Sequence, residues 1–185
     1  MHLLESYALV SGIRIGTCFI EEEPIPLPKS PYITIHPYNP KGSGRQYGSW
    51  HEVIKTLQNA DGFDYEIIQI GLSSDIRFSV NTDYLGKTNY NSLAYLIKHS
   101  QLHLGFDSLP VHLASYYDKK IVAIYAQYFN NTGPYFSSQS KIRLFEPSQY
   151  TSLKPIFQYD DPYRLINIIP HTDISSAVIS LLEQE

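Results

Sequence analysis

Cysteine is nearly absent. Cys18 is the single one in 185 residues, which excludes an internal disulfide framework and a cysteine-based zinc site. A lone thiol fits a reducing compartment, and a cytoplasmic location is the expectation. No apolar run approaches the roughly 18 residues of a membrane-spanning helix, and the start lacks a basic-then-apolar signal pattern. The sequon Asn130-Asn131-Thr132 is therefore read as carrying no modification. Basic runs are missing too. Lys and Arg number 14 against 18 Asp and Glu, for a net charge of −4, so no surface is expected to neutralise nucleic-acid phosphates. The chain also lacks a G-x-S-x-G elbow, a P-loop, an HExxH pair and a Cys-His cluster. The loop Lys41-Gly42-Ser43-Gly44-Arg45 holds two glycines without G-x-G-x-x-G spacing, a weak dinucleotide signal.

What remains is an ordinary globular composition, 43% apolar and 17% charged, in a length that suits one domain. The 16 tyrosines are numerous, and most are expected as half-buried rings filling the sheet. Residues 1–30 read as a helix and linker lead-in: Leu3, Leu4, Tyr7 and Ala8 share a side, Gly12 is a stop, and Pro24, Pro26 and Pro28 make an extended connector. Residues 31–185 read as the domain. Strands are expected over 32–38, 64–71, 102–106, 121–124 and 141–145. A helix follows Ser49 with Trp50, Val53, Ile54 and Leu57 as its stripe. Another is expected to be capped by Thr88, with Tyr90, Leu93, Ala94 and Ile97 inward. A last one is expected to be capped by Thr172, with Ile174, Val178, Leu181 and Leu182 on one side. Between Ile76 and Leu85 a short helix and a short strand both fit. Strands alternating with helices predict an α/β domain, a parallel sheet covered on both faces.

The organising stretch is 101–126. An apolar strand ends at Asp107-Ser108, Pro110 sits as a first helical residue would, and a second buried strand follows. Polar turns at strand carboxyl ends are where open α/β sheets place ligands. A helix amino end there favours an anion by about 0.3–1 kcal/mol. His112 is a candidate for the same space. The plainer readings stand beside this one: Asp107 or Ser108 as a helix cap, Asp75 as a turn residue, Lys41 and Arg45 as solvated charges, and His112 as a packed histidine. His36 reads as a packed strand-end residue. Asp160-Asp161 reads as a turn, not a metal site.

Several pieces in order carry a resemblance: Ile35-His36-Pro37, Arg45 with Tyr47, Gly71 to Asp75, Gly86-Lys87-Thr88, and Asp107-Ser108 with His112-Leu113-Ala114. Together they resemble the nucleotide-sugar-binding half of heptosyltransferase-like glycosyltransferases, most specifically in the last segment. The resemblance implies a single Rossmann-like domain, half of a GT-B fold. It implies that Arg45 contacts donor phosphates, that Asp75 holds ribose hydroxyls, and that Asp107, Ser108 and His112 cradle the diphosphate. It implies no metal and no cofactor beyond the nucleoside-diphosphate sugar that serves as donor. Where that family usually has glycine after Asp-Ser, this chain has Leu109, whose side chain is expected to reshape the pocket. The family's first domain, with the acceptor site and catalytic base, is expected to be absent, so binding is expected more than turnover. Two readings of function follow. One is a donor-binding glycosyltransferase module. The other is a non-catalytic structural or interaction protein derived from such a domain. A nucleotide-sugar epimerase is weaker than either. Apolar residues on the terminal helices, or the tyrosine-rich loop 125–136, are expected to join a homo-oligomer or a separate acceptor-domain protein.

Overall fold

The computed structural model describes residues 1–16, 18–37, 46–126, 129–147 and 165–184. Its strands are β1 (Tyr32–His36), β2 (Glu66–Gln69), β3 (Thr82–Asp83), β4 (Leu102–Phe106), β5 (Lys120–Ile124) and β6 (Ile142–Phe145). They form one sheet in the order β3-β2-β1-β4-β5-β6, and every neighbouring pair is parallel. A parallel sheet is buried on both faces, which is why β4 is buried along its whole length. Successive side chains point to opposite faces, so one strand feeds two cores. Ile33, Ile35, Leu102, Leu104, Val122 and Ile124 face one of them, while Tyr32, Ile68, Ile70, Ile121 and Ala123 face the other. The register aligns Ile33 with Leu102 and Ile35 with Leu104, which joins the first core across the centre of the sheet.

The helices α1 (Leu3–Ser11), α2 (Trp50–Gln58), α3 (Tyr90–His99), α4 (Leu109–Tyr116), α5 (Phe129–Thr132) and α6 (His171–Leu182) complete the layers. α2 and α6 cover the first core, and α3 and α4 cover the second. The stripe of α2 is buried as its spacing predicts. Three expectations are corrected. Asn89, not Thr88, caps α3: its Oδ1 accepts from the Asn91 and Ser92 amides at 3.0 and 2.9 Å, and Ser92 Oγ accepts from the Asn89 amide in return. Tyr90, the first helical residue, is not inward: it is 75% exposed and lines the cleft of the candidate site. α6 begins at His171 with no side-chain cap, so Thr172 lies inside it. The closing helix is also no free apolar face, because Ile174, Val178 and Leu181 are buried in the first core.

Between β2 and β3 the crossover carries no helix, and Gln69 holds it instead. Its buried amide donates to the Ile76 carbonyl at 2.7 Å and accepts from the Phe78 amide at 2.9 Å. This settles the stretch from Ile76 to Leu85 as a loop and a two-residue strand.

The lead-in lies over the second core. Ile20, Ile25 and Leu27 pack against it, Glu22 pairs with Lys98 at 2.9 Å, and Asn89 Nδ2 donates to Glu23 at 2.7 Å. Hydrogen bonding to Lys98 lowers the pKa of Glu22. α1 ends where Gly12 takes the left-handed conformation, and it buries none of its residues. Leu3, Tyr7, Leu9 and Val10 are exposed along it. Its foothold is His2, whose Nδ1 accepts from the Leu4 amide and whose Nε2 is 3.0 Å from the Gly133 carbonyl. Among the described residues no helix is long and apolar enough to cross a membrane.

If α6 is core, Leu181→Ala leaves a cavity between it and the sheet and destabilises the fold by about 2–5 kcal/mol. Urea unfolding of the variant reads this directly. A loss below about 0.5 kcal/mol would put α6 at the surface.

Candidate functional site: a cleft at the switch point of the sheet

β1 and β4 are neighbours, but the chain leaves them on opposite sides. After β1 it turns toward α2 and the first core; after β4 it turns into α4 over the second. The loops diverge and leave a crevice beyond the carboxyl ends of the two strands. The crevice is a cleft of about 750 Å3, within the range of small-molecule sites. His36 and Phe106 form its floor. The turn from Ile70 to Asp75 and the start of α3, with Asn89, Tyr90 and Leu93, form one wall. Asp107, Ser108, Leu109 and Pro110 form the other.

Asp75 is held by its own turn. Its Oδ2 accepts from the Leu72 amide at 2.8 Å, while its amide donates to the Leu72 carbonyl. The carboxylate lies where a side chain at residue 71 would go: a Cβ on Gly71 would stand 2.3 Å from Oδ2. Gly86, at φ +67°, presses on the same turn, since its Cβ would stand 2.6 Å from Ser73 Cβ. The two glycines thus let the acidic turn close. Asp75 is buried, and its Oδ1 has no hydrogen-bond partner. Burial raises its pKa above the ordinary 3.8, against the Leu72 amide, which lowers it.

On the opposite wall Ser108 occupies the N-cap position of α4. Its hydroxyl donates to the Phe106 carbonyl at 3.0 Å, and the oxygen lies 3.0 Å from His36 Nδ1. Pro110 supplies no amide, and that of Val111 donates to the Ser108 carbonyl at 3.2 Å, so the Leu109 amide is the first-turn donor left for a ligand. The Leu109 side chain stands 45% exposed at the mouth. Burial pushes His36 down to about 4. Beneath it, His103 is fully buried, with Nδ1 3.0 Å from Thr34 Oγ1 and Nε2 without a partner. That Nε2 lies 2.9 Å from where a Cβ on Gly105 would be, and burial pushes the ring down to about 3.

Of the residues singled out from the sequence, Asp75, Asp107 and Ser108 line this one cleft. His112 stands on α4 away from the lining, exposed, close enough to Asp107 and His2 for both charges to act on it. Its pKa is lowered, chiefly by desolvation from the surrounding protein. Arg45 lies outside the described residues, as do Lys41, Asp160 and Asp161. His36 was missed as a cleft residue; its signal was the alternation that puts it on the same face as Thr34. Leu72, Leu93 and Phe106 were missed because apolar lining looks like core in a sequence. No group of three His, Cys, Asp or Glu that could hold a metal occurs among the described residues.

An open parallel sheet wound on both faces, with a ligand-sized cleft at its switch point, defines a Rossmann-like α/β domain. Residues 28–156 match the model of glycosyltransferase family 9 (heptosyltransferase), and the chain belongs to that family. Among solved structures it is similar to E. coli ADP-heptose LPS heptosyltransferase II, with a TM-score of 0.60 and 17% identity over 83% of this chain and 47% of that one. It is also similar to the family 9 glycosyl transferase of Veillonella parvula DSM 2008, with a TM-score of 0.61 and 14% identity over 82% and 46%. A third is the dodecameric iron-containing glycosyltransferase TibC of enterotoxigenic E. coli, with a TM-score of 0.64 and 16% identity over 90% and 49%. These likenesses show the fold, a Rossmann-like half of the GT-B architecture, and the chain spans about half the length of each structure. No curated protein sequence matches it.

The fully buried His103 and the half-buried His36 set the acid limb of stability. A histidine whose folded pKa lies below the ordinary 6.5 contributes stability above that value and loses it as the pH falls. Stability should therefore decline from about pH 6.5 toward 4 and 3, and His103→Asn should flatten the decline. Asp75, with a raised pKa, acts in the opposite sense: its contribution is present in acid and lost as the pH rises through its folded value. Urea unfolding at stepped pH measures the sum. A profile in His103→Asn that overlays the parent would refute the assignment.

Proposed function

We propose that the chain is a donor-binding unit of a family 9 glycosyltransferase and holds a nucleoside-diphosphate sugar in the switch-point cleft. The observation that carries this is the pairing of two unlike walls. One is lined by the carboxylate residue Asp75, suited to sugar hydroxyls. The other presents the amino end of α4, suited to a diphosphate. Leu72, Leu93 and Phe106 shelter the space between. Asp107 and Ser108 would flank the diphosphate, with Arg45 adding the positive group that the family resemblance assigns it; His112, away from the lining, would reach only a part of the donor that extends beyond the cleft. An ADP-sugar is the first donor to test, because TibC is described in complex with ADP-D-beta-D-heptose and another neighbour, the E. coli heptosyltransferase WaaC, with ADP.

In transfer, an acceptor oxygen attacks the anomeric carbon while the bond from that carbon to the diphosphate breaks. The diphosphate leaves with its negative charge, which the Leu109 amide at the start of α4 and basic side chains would stabilise without a metal. The acceptor must be deprotonated, and that base would come from an acceptor domain or a partner. A cytoplasmic setting and self-association belong to the same proposal; the exposed apolar side of α1 offers a surface for the latter. One observation favours the non-catalytic alternative. Leu109 puts a side chain over the phosphate end of the cleft, and Pro110 removes an amide there.

Calorimetry with ADP, GDP, UDP and dTDP, free and as sugars, tests the reading. ADP should bind more tightly than AMP. Asp75→Ala should weaken the nucleoside part and Arg45→Ala the diphosphate part, each by about 1.5–3 kcal/mol. The Arg45 effect should shrink with added salt. No heat from any nucleotide at millimolar concentration would leave the non-catalytic alternative.

A further inference from the structure

A serine at an N-cap ordinarily turns its oxygen to first-turn amides. Ser108 makes no such bond. Its hydroxyl donates to the Phe106 carbonyl at 3.0 Å, and the same oxygen is 3.0 Å from His36 Nδ1. A hydroxyl has one proton, and a carbonyl only accepts. Both contacts are satisfied together only when His36 carries its hydrogen on Nδ1 and donates it to Ser108 Oγ.

We infer that His36 is the positioning residue of the phosphate end of the cleft: its Nδ1–H holds the Ser108 hydroxyl away from α4, so the helix amino end stays open to a ligand. The inference rests on the nucleotide-sugar reading above and assigns His36 a role that reading does not contain. The hold comes from β1, 72 residues away along the chain, and so spans the switch point. His36 is itself fixed. Its ring lies tilted against Phe106 with centroids 4.8 Å apart, and the register sets it beside Gly105, where there is no side chain to displace it. Burial keeps the ring neutral, so it meets Ser108 as one tautomer and not as a cation. Released from His36, the hydroxyl has one conventional cap target, the Val111 amide, because Pro110 has none. Val111 now donates to the Ser108 carbonyl instead. His36 therefore acts through Ser108, and the helix end is kept for the ligand.

The test has a ligand-free arm and a ligand arm. In the free protein at neutral pH, nitrogen-15 NMR should show His36 as the Nδ1–H tautomer. His36→Ala should shift the Leu109 and Val111 amides, whereas His36→Asn, whose amide nitrogen replaces Nδ1–H, should leave them near the parent. An Nε2–H tautomer, or unmoved amides in His36→Ala, overturns the inference and leaves the nucleotide reading intact. In the ligand arm, calorimetry with ADP should show His36→Ala about tenfold weaker and His36→Asn within threefold of the parent. Adding His36→Ala to Ser108→Ala should cost less than twofold, because the group it positions is gone. Independent, additive losses overturn the inference. A parent that binds none of ADP, GDP, UDP and dTDP overturns the nucleotide reading alone, and the NMR arm still decides whether His36 holds Ser108; where another of these binds in place of ADP, the ligand arm is run with it.

Discussion

β1 and β4 lie side by side and run the same way, yet the chain must leave them on opposite faces to cover both sides of a parallel sheet. Everything at the candidate site depends on that divergence. It opens the crevice and places the end of β1 against the turn after β4. It also directs α4 so that its amino end faces the space. The two cores follow from the same strands, since alternate side chains of β1 and β4 serve α2 and α6 on one face and α3 and α4 on the other. A wall that reads as core within the domain, Ile70 and Phe106 for example, becomes cleft lining where the strands run out.

Polar groups are placed inside this apolar frame at a cost. Asp75 Oδ1 and His103 Nε2 are buried without partners, and a buried polar group left unpaired costs roughly 1–3 kcal/mol. The two sit differently. Asp75 borders the cleft, and the positive φ of Gly71 and Gly86 lets its turn close. His103 lies beneath, bonded to Thr34 on the neighbouring strand, and fills the space that Gly105 leaves empty. The two central strands thus carry polar pairs at the switch point: Thr34 with His103 inside the sheet, and His36 with Ser108 at its carboxyl end.

The edges of the domain are treated unequally. On the α3 and α4 side, the proline-rich lead-in lies over the core and is fastened by Glu22, Glu23 and the hydroxyls of Tyr84 and Tyr117. Tyrosine serves here as an apolar ring with a polar tip, which accounts for part of its abundance. α1, by contrast, touches the domain near Gly133 and Tyr135 and leaves most of its apolar residues in water. The chain belongs to glycosyltransferase family 9 and spans about half the length of each solved structure it resembles.

The sequence by itself determined the class of fold. The apolar runs from Leu102 and Ile121 are too short for helices and too continuous for an exposed sheet, so parallel buried strands were the consistent reading. The stripe of α2, the stop at Gly12 and the strand-end position of Asp75, Asp107 and Ser108 were legible for the same reason: each depends on neighbours a few residues away. Tertiary structure alone decided the rest. Periodicity tells which side of a helix is apolar but not what will cover it, so α6 read as an association surface although α2 and the sheet bury it. Asn89 in place of Thr88 as the cap of α3 depends on the reciprocal bond with Ser92, and Tyr90, at the first helical position, extends past the core to the cleft. His36 meets Ser108 because β1 pairs with β4 in one register, and no local pattern encodes a hydrogen bond between residues 72 positions apart.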